Sequence, residues 1–167
     1  AALSSVAASW GAPAATLHTN TVVTAALLDA VRLACPKARF VHASSAEIFG
    51  KTDSPAQDEA TPLAPVSPYG VSKAAAHTLV AIARENQGFA ATNAIFYLGE
   101  SERRPPHFVF RKITRGLAKI ALGLESKLVL GNMDIVRDFS HAEDLARGAV
   151  HLALAAPPGD YVCASGE

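Results

Sequence analysis

The chain has 167 residues, half of them hydrophobic, and its 15 Lys and Arg balance 15 Asp and Glu, so the formal charge at pH 7 is zero. Such a length buries one core but does not build a large two-domain enzyme. Neutrality argues against a duplex-binding face, and no apolar run reaches the length of a membrane span. The basic stretch from Arg103 to Lys119 is too short for a nucleic-acid stripe and suits a small phosphorylated ligand, or a solvated helix face. Cys35 and Cys163 stand far apart without a Cys-x-x-Cys companion, which excludes a disulfide framework and a thiolate metal site. The six His are scattered without ligand spacing, so no metal ligand is assigned. Two isolated thiols suit a reducing compartment. The Ala-rich start carries no basic region of a secretory signal, and a cytoplasmic location is expected.

In chain order, the apolar periodicity predicts a helix over Thr16 to Ala34 and a strand over Arg39 to Ala43. An irregular loop with acids and prolines follows from Lys51 to Val66. A long helix is predicted over Pro68 to Gln87, with Ser67 as N-cap, Pro68 at the first turn and Gly88 as its stop. Thr92 to Leu98 is predicted as a strand, Phe108 to Leu122 as a helix and Leu128 to Leu130 as a short strand. Ser140-His141-Ala142-Glu143 has the form of a capping box opening another helix, and Tyr161-Val162-Cys163 is a last strand. This alternation implies an α/β fold with a parallel sheet and crossover helices. No internal repeat is present.

Four residues carry the chemistry. Tyr69 and Lys73 lie at i and i+4 of the predicted helix, one above the other on one face. An ammonium beside a phenol favours the phenolate, so Tyr69 is placed to act as a general base near neutral pH, which a free phenol with a pKa of about 10 cannot do. Ser45 and Glu47 end the strand before it. If the chain is still extended there, alternation projects both to one side. The Ser45 hydroxyl then hydrogen-bonds a sugar oxygen undergoing oxidation, and Glu47 exchanges a proton with a neighbouring carbon. A Tyr-x-x-x-Lys spacing alone is weak, and a surface helix pair with Glu47 as a solvated acid would read the same. The order strand, Ser-x-Glu, Pro-rich loop, capped helix makes the catalytic reading the stronger one.

Ser45, Tyr69 and Lys73 resemble the catalytic triad of the extended short-chain dehydrogenase/reductases, and the wider wording resembles the GDP-mannose 4,6-dehydratase family. The likeness runs from Ala1-Ala2-Leu3-Ser4-Ser5-Val6 through Leu27-Leu28-Asp29-Ala30-Val31-Arg32 and Ser45-Ala46-Glu47-Ile48-Phe49-Gly50-Lys51. It continues in Ser67 to Lys73, Glu100-Ser101-Glu102-Arg103-Arg104, Phe108 to Thr114, Leu130-Gly131-Asn132 and Arg137-Asp138-Phe139-Ser140-His141-Ala142. The stretches Arg111 to Thr114 and Leu130 to Asn132 are the most specific. Leu98-Gly99 stand where the family has Asn-His, Ala46 and Phe49 replace Ser and Tyr, and Phe139-Ser140 replace Trp-Gly.

This resemblance implies a Rossmann-like doubly wound parallel sheet without its first Gly-rich βαβ unit, because no Gly-rich phosphate turn occurs. The chain is accordingly expected to be an internal fragment of a longer enzyme. Residues 1–100 would be the C-terminal part of the dinucleotide-binding domain, and residues 101–167 a nucleotide-sugar-binding region with a returning strand. The implied reaction is oxidation of the sugar at C4 with NADP, or NAD, then loss of water across C5 and C6 and return of hydride to C6. Tyr69 is the implied base, Ser45 its hydrogen-bonding partner and Glu47 the C5 base. Lys73 holds the cofactor ribose. Ala1, Ala2, Ser4 and Arg104 are implied to line the cofactor together with Tyr69 and Lys73, and Val109, Lys112 and Arg137 to hold a GDP-sugar. Arg suits phosphate because its planar fork binds in bidentate fashion. The parent enzyme is expected to be a homo-oligomer. A nucleotide-sugar reductase or epimerase of the same fold, and a non-catalytic or truncated remnant, remain alternatives.

Overall fold

A computed structural model describes residues 2–52 and 56–166. The chain opens with α1 (Val6–Gly11), whose N-cap Ser5 accepts from the amide of Ala8 at 3.2 Å. Pro13 begins α2 (Pro13–Leu17), a position where its missing N–H costs nothing. From there the helix widens into a π-helical segment (His18–Val22) and returns to α-geometry in α3 (Val23–Ala34). The helix predicted from Thr16 is therefore already under way at Pro13. Then come β1 (Phe40–Ser45), a 3-10 turn (Ala46–Ile48) and α4 (Pro68–Gln87). In α4 the predicted signals act as expected: Ser67 accepts from the Gly70 amide at 3.0 Å, and Gly88 ends the helix at φ 62°.

β2 (Ala91–Phe96), β3 (Leu98–Glu100), α5 (Val109–Ala121), β4 (Phe139–His141), α6 (Ala142–Leu154) and β5 (Asp160–Cys163) complete the order. The chain divides into two compact units. One runs to Phe96 and takes up Arg147–Cys163 again; the other is Tyr97–Ala146 with the residues from Ala164 onward.

In the first unit β1, β2 and β5 form a parallel sheet in the order β1-β2-β5, with Phe40 opposite Ala91 and Asn93 opposite Asp160. Parallel neighbours need a crossover connection, and α4 supplies the one between β1 and β2. Leu28 of α3, Val80 and Ala83 of α4, Phe89 and Ala91 make one core cluster; Ile48, Phe49, Ala74 and Ile95 make another. Fully buried side chains such as Val80 and Ile95 each contribute roughly 1.5–3 kcal/mol. Phe49 is 2% exposed in this second cluster, an apolar setting that a ring without a hydroxyl fills at no cost in lost hydrogen bonds.

The predicted strand over Thr92 to Leu98 is divided, its residues to Phe96 lying in β2 of the first unit and Leu98 in β3 of the second. It breaks at Tyr97, and β3 pairs in parallel with β4 as a separate two-stranded sheet. The predicted strand at Leu128 to Leu130 does not form. Leu128 instead packs over Gly116 of α5, where a Cβ would meet its Cδ1 at 2.6 Å, and β3 takes Phe139–His141 as its partner. Nor is Ser140 a capping residue. It lies within β4 with its hydroxyl 3.4 Å from the Asp138 carboxylate, and the Glu143 amide donates to His141 Nδ1 at 3.3 Å.

Candidate active site

β1 ends at Ser45 in extended geometry, φ −151° and ψ 145°, and the backbone then folds into the 3-10 turn that contains Glu47. Strand alternation therefore stops at Ser45 and does not relate Ser45 to Glu47. What joins them is a cap: the Glu47 amide donates to Ser45 Oγ at 3.3 Å. Ile48 and Phe49 pin the turn to Ala74 of α4, and the Glu47 carbonyl approaches α4 at Gly70, 2.6 Å from where a Cβ would stand. Gly50, at φ 59°, turns the chain where the Ala64 carbonyl leaves no room for a side chain.

On α4, Tyr69 and Lys73 are both buried, 8% and 6% exposed, and the Lys73 ammonium lies 6.0 Å from the centre of the Tyr69 ring. One of its N–H bonds donates to the Ala43 carbonyl of β1 at 2.8 Å, which ties α4 to the strand that ends in Ser45. Burial holds Lys73 below the ordinary lysine range. Ser45, Glu47, Tyr69 and Lys73 thus share one corner of the first unit, where β1 runs into α4.

Three polar residues that sequence reasoning did not single out hold this corner. Asn20, in the π-helical segment, accepts from the Leu3 amide at 2.9 Å and donates to the Leu3 carbonyl at 3.0 Å and to Ser72 Oγ at 3.0 Å. Ser72 donates to the Tyr69 carbonyl at 2.7 Å, and Ser9 Oγ accepts from the Tyr69 amide at 3.2 Å. A π-turn inside a helix is often found at functional sites, and here it carries a carboxamide that is 2% exposed. No local pattern marks the contacts from Asn20 to Leu3 and Ser72 and from Ser9 to Tyr69, since their partners lie 17 to 60 positions away.

Of the residues expected to line a cofactor, Ala1 lies outside the described residues. Ala2 and Ser4 are exposed on either side of the clamped Leu3. Arg104 belongs to the second unit, stacked 3.6 Å over Phe108 and 3.4 Å from the Glu100 carboxylate. Burial pushes the Glu100 carboxyl up, and Arg104 offsets part of the rise. Lys112 lines a groove of about 410 Å³ with Arg115, Lys119, Lys127, Leu128 and Val129; Val109 and Arg137 lie outside that lining. Val109 opens α5 and is exposed, and exposed Arg137 donates to the carbonyl of Val136 at 3.1 Å. Gly99, in β3, sits against Leu145, whose Cδ1 would be 2.8 Å from a Cβ, so a larger residue at 99 requires Leu145 to move. Among the described residues no group of three His, Cys, Asp or Glu side chains is arranged to hold a metal, and no helix is long and apolar enough to cross a membrane.

Residues 1–167 match the family described as GDP-mannose 4,6 dehydratase. The chain belongs to the GDP-mannose 4,6-dehydratase family. It is 42% identical over 167 residues to the GDP-mannose 4,6-dehydratase of Vibrio cholerae, covering 99% of this chain and 45% of that relative. The chain thus spans about half the length of the relatives it matches. Among solved structures, RMD from Pseudomonas aeruginosa, complexed with NADPH, superposes with a TM-score of 0.90 at 26% identity, over 100% of this chain and 59% of that one. The dTDP-glucose 4,6-dehydratase DesIV from Streptomyces venezuelae, solved with NAD, gives 0.82 at 27% identity, over 97% of this chain and 49% of that one. The GDP-mannose 4,6-dehydratase family chain is therefore a Rossmann-like parallel α/β fold that spans about half of its structural neighbours.

Proposed function

We propose that this chain is the catalytic portion of a GDP-mannose 4,6-dehydratase that converts GDP-mannose to its 4-keto-6-deoxy product. The observation that carries the reading is the turn Ser45-Ala46-Glu47 seated against the helix that bears Tyr69 and Lys73. An oxidoreductase needs only the hydroxyl, phenol and ammonium. A dehydratase needs a carboxylate beside them, and Glu47 supplies it.

A nicotinamide cofactor, when bound, supplies a hydride acceptor for C4 that also returns hydride at C6. The donor set here fits one: Lys73 uses one N–H on Ala43, so its other two can hold ribose hydroxyls, while Ala2 and Ser4 flank the segment clamped by Asn20. Arg104 would meet a phosphate. NADP is the favoured cofactor, since the RMD structure holds NADPH, with NAD the alternative from DesIV.

Tyr69 takes the proton of the C4 hydroxyl, and Ser45 hydrogen-bonds the same oxygen. The ketone that results acidifies the C5 proton, and Glu47 removes it. The C6 hydroxyl then leaves as water with the proton held by Glu47, and the proton held by Tyr69 balances the one C5 takes up when hydride is returned to C6, so no net proton is consumed. Lys112, Val109 and Arg137 serve the nucleotide end, where cations offset diphosphate charge. Incubating the full-length protein with GDP-mannose and following the 4-keto-6-deoxy sugar nucleotide tests the reading; no such product at saturating substrate and cofactor would overturn it.

A further inference from the structure

Behind the corner just described lies a second polar cluster, buried at Ser44, His77, Asn93 and His42 and half-buried at Asp160. Ser44 Oγ stands 3.0 Å from His77 Nδ1, and His77 Nε2 stands 3.5 Å from the Asp160 carboxylate. Asp160 also accepts from Arg84 at 2.9 Å and from Asn93 at 2.9 Å. Asn93, fully buried, further donates to the His77 carbonyl at 3.1 Å and meets His42 Nδ1 at 2.9 Å. Burial pushes the Asp160 carboxyl up, but the bonds from His77, Arg84 and Asn93 outweigh it and hold the group well below the usual carboxylate range.

A serine, a histidine and an aspartate in contact invite comparison with a hydrolytic triad, and burial excludes it. Ser44 and His77 are 3% and 7% exposed, so no substrate carbonyl reaches the hydroxyl. The cluster is instead an anchoring device. Tyr69, Lys73 and His77 follow one another at intervals of four along α4, which puts them in one slowly winding stripe. Lys73 bonds the Ala43 carbonyl and His77 bonds Ser44, the next residue of β1 and the one before Ser45. His77 and Arg84 also reach β5 through Asp160, and Arg84 reaches the Ala91 carbonyl of β2 at 3.3 Å. A helix held to three strands through charge-assisted bonds cannot slide or roll without breaking several at once.

The geometry points to His77 as a positioning residue: held by Ser44 and Asp160, it sets the seat of Lys73 beside Tyr69 and of Ser45 at the end of β1. The inference rests on the catalytic reading of Tyr69, Lys73 and Ser45 given above, but it can be checked without turnover.

In the full-length protein, Ser44→Ala, Ser44→Thr and His77→Ala, with the Ser44→Ala/His77→Ala pair, are assayed on GDP-mannose. Each Ala variant is expected to lower kcat about tenfold with KM within twofold, the pair is expected to fall no further than the worse single, and Ser44→Thr, which keeps the hydroxyl, is expected to recover most of the loss. Lys73 is followed separately by NMR titration of its amine. It is expected to titrate higher, toward an ordinary lysine, in Ser44→Ala and His77→Ala, and to stay at the wild-type value in Ser44→Thr. Lower melting temperature with unchanged kcat and unchanged Lys73 titration would overturn the inference and leave the cluster a stability element. If His77→Ala does not fold, Ser44→Ala against Ser44→Thr decides the same question. Should the wild-type protein turn over no GDP-mannose, the functional reading falls, and the Lys73 titration alone supports or overturns the positioning role.

Discussion

The side-chain amide of Asn20 holds Leu3 by both of its main-chain groups, accepting from the amide at 2.9 Å and donating to the carbonyl at 3.0 Å. The same Nδ2 reaches Ser72 between Tyr69 and Lys73 on α4, so one buried carboxamide ties the segment at Leu3 to α4. Removing it leaves three polar groups without their partner. Asn20→Ala in the full-length protein should lower unfolding free energy by about 1–3 kcal/mol. It should also weaken nicotinamide cofactor binding, because Ala2 and Ser4 flank the released residue. Denaturant melts and calorimetric titration check the two effects; unchanged values in both would show that the clamp does not matter.

Tyr69→Phe removes one oxygen from a buried ring and leaves the packing of α4 intact. Turnover is expected to fall by ~100- to 10,000-fold, the range of a lost general base, with KM for the nucleotide sugar nearly constant. Steady-state kinetics with GDP-mannose is the measurement. Near wild-type turnover would remove the phenol from the chemistry.

Glu47 separates a dehydratase from a simple oxidoreductase. Glu47→Gln keeps the amide that caps on Ser45, so the turn should hold and oxidation at C4 should proceed. Elimination should stall, and reduced cofactor should accumulate in a single-turnover trace of nicotinamide absorbance. Product formation at the wild-type rate without that build-up would make Glu47 a bystander.

His42 yields a pH prediction. Burial lowers its pKa from 6.5 to about 4, so the folded protein keeps the ring neutral while the unfolded chain takes up a proton below pH 6.5. The unfolded state then binds more protons, and stability must fall as pH drops from 6.5 towards 4, by up to about 3 kcal/mol for this one group. Asp160 adds to acid loss only lower down, because its depressed pKa removes stability as pH falls below the ordinary carboxylate value. In His42→Gln the slope of unfolding free energy between pH 6.5 and 4 should flatten. An unaltered slope would assign the acid sensitivity to other groups.

Lys112 sits in the basic groove of the second unit with Arg115, Lys119 and Lys127. Lys112→Ala should raise KM for GDP-mannose several-fold and leave kcat close to wild type, as expected for a contact made equally in the ground and transition states. A loss confined to kcat would place Lys112 nearer the reacting carbons.

What could be read from the residues alone is what short-range geometry decides. Ser67, Pro68 and Gly88 bound α4 because capping and φ restrictions act within a few positions, and the interval from Tyr69 to Lys73 fixes a shared face by helical pitch. Apolar periodicity likewise placed α3, α5 and the parallel strands of the first unit. Pairing across the chain was not readable in this way. Whether Leu128 or Phe139 joins β3 depends on which segment the fold brings alongside, and Leu128 was captured by Gly116. Ser45 and Glu47 were recognisable as a pair, yet what relates them is a 3-10 turn pressed on α4 rather than strand alternation. Asn20, Ser44, His77 and Asn93 look like ordinary polar residues until tertiary packing excludes water from them, and burial then obliges each to find a partner far away in sequence.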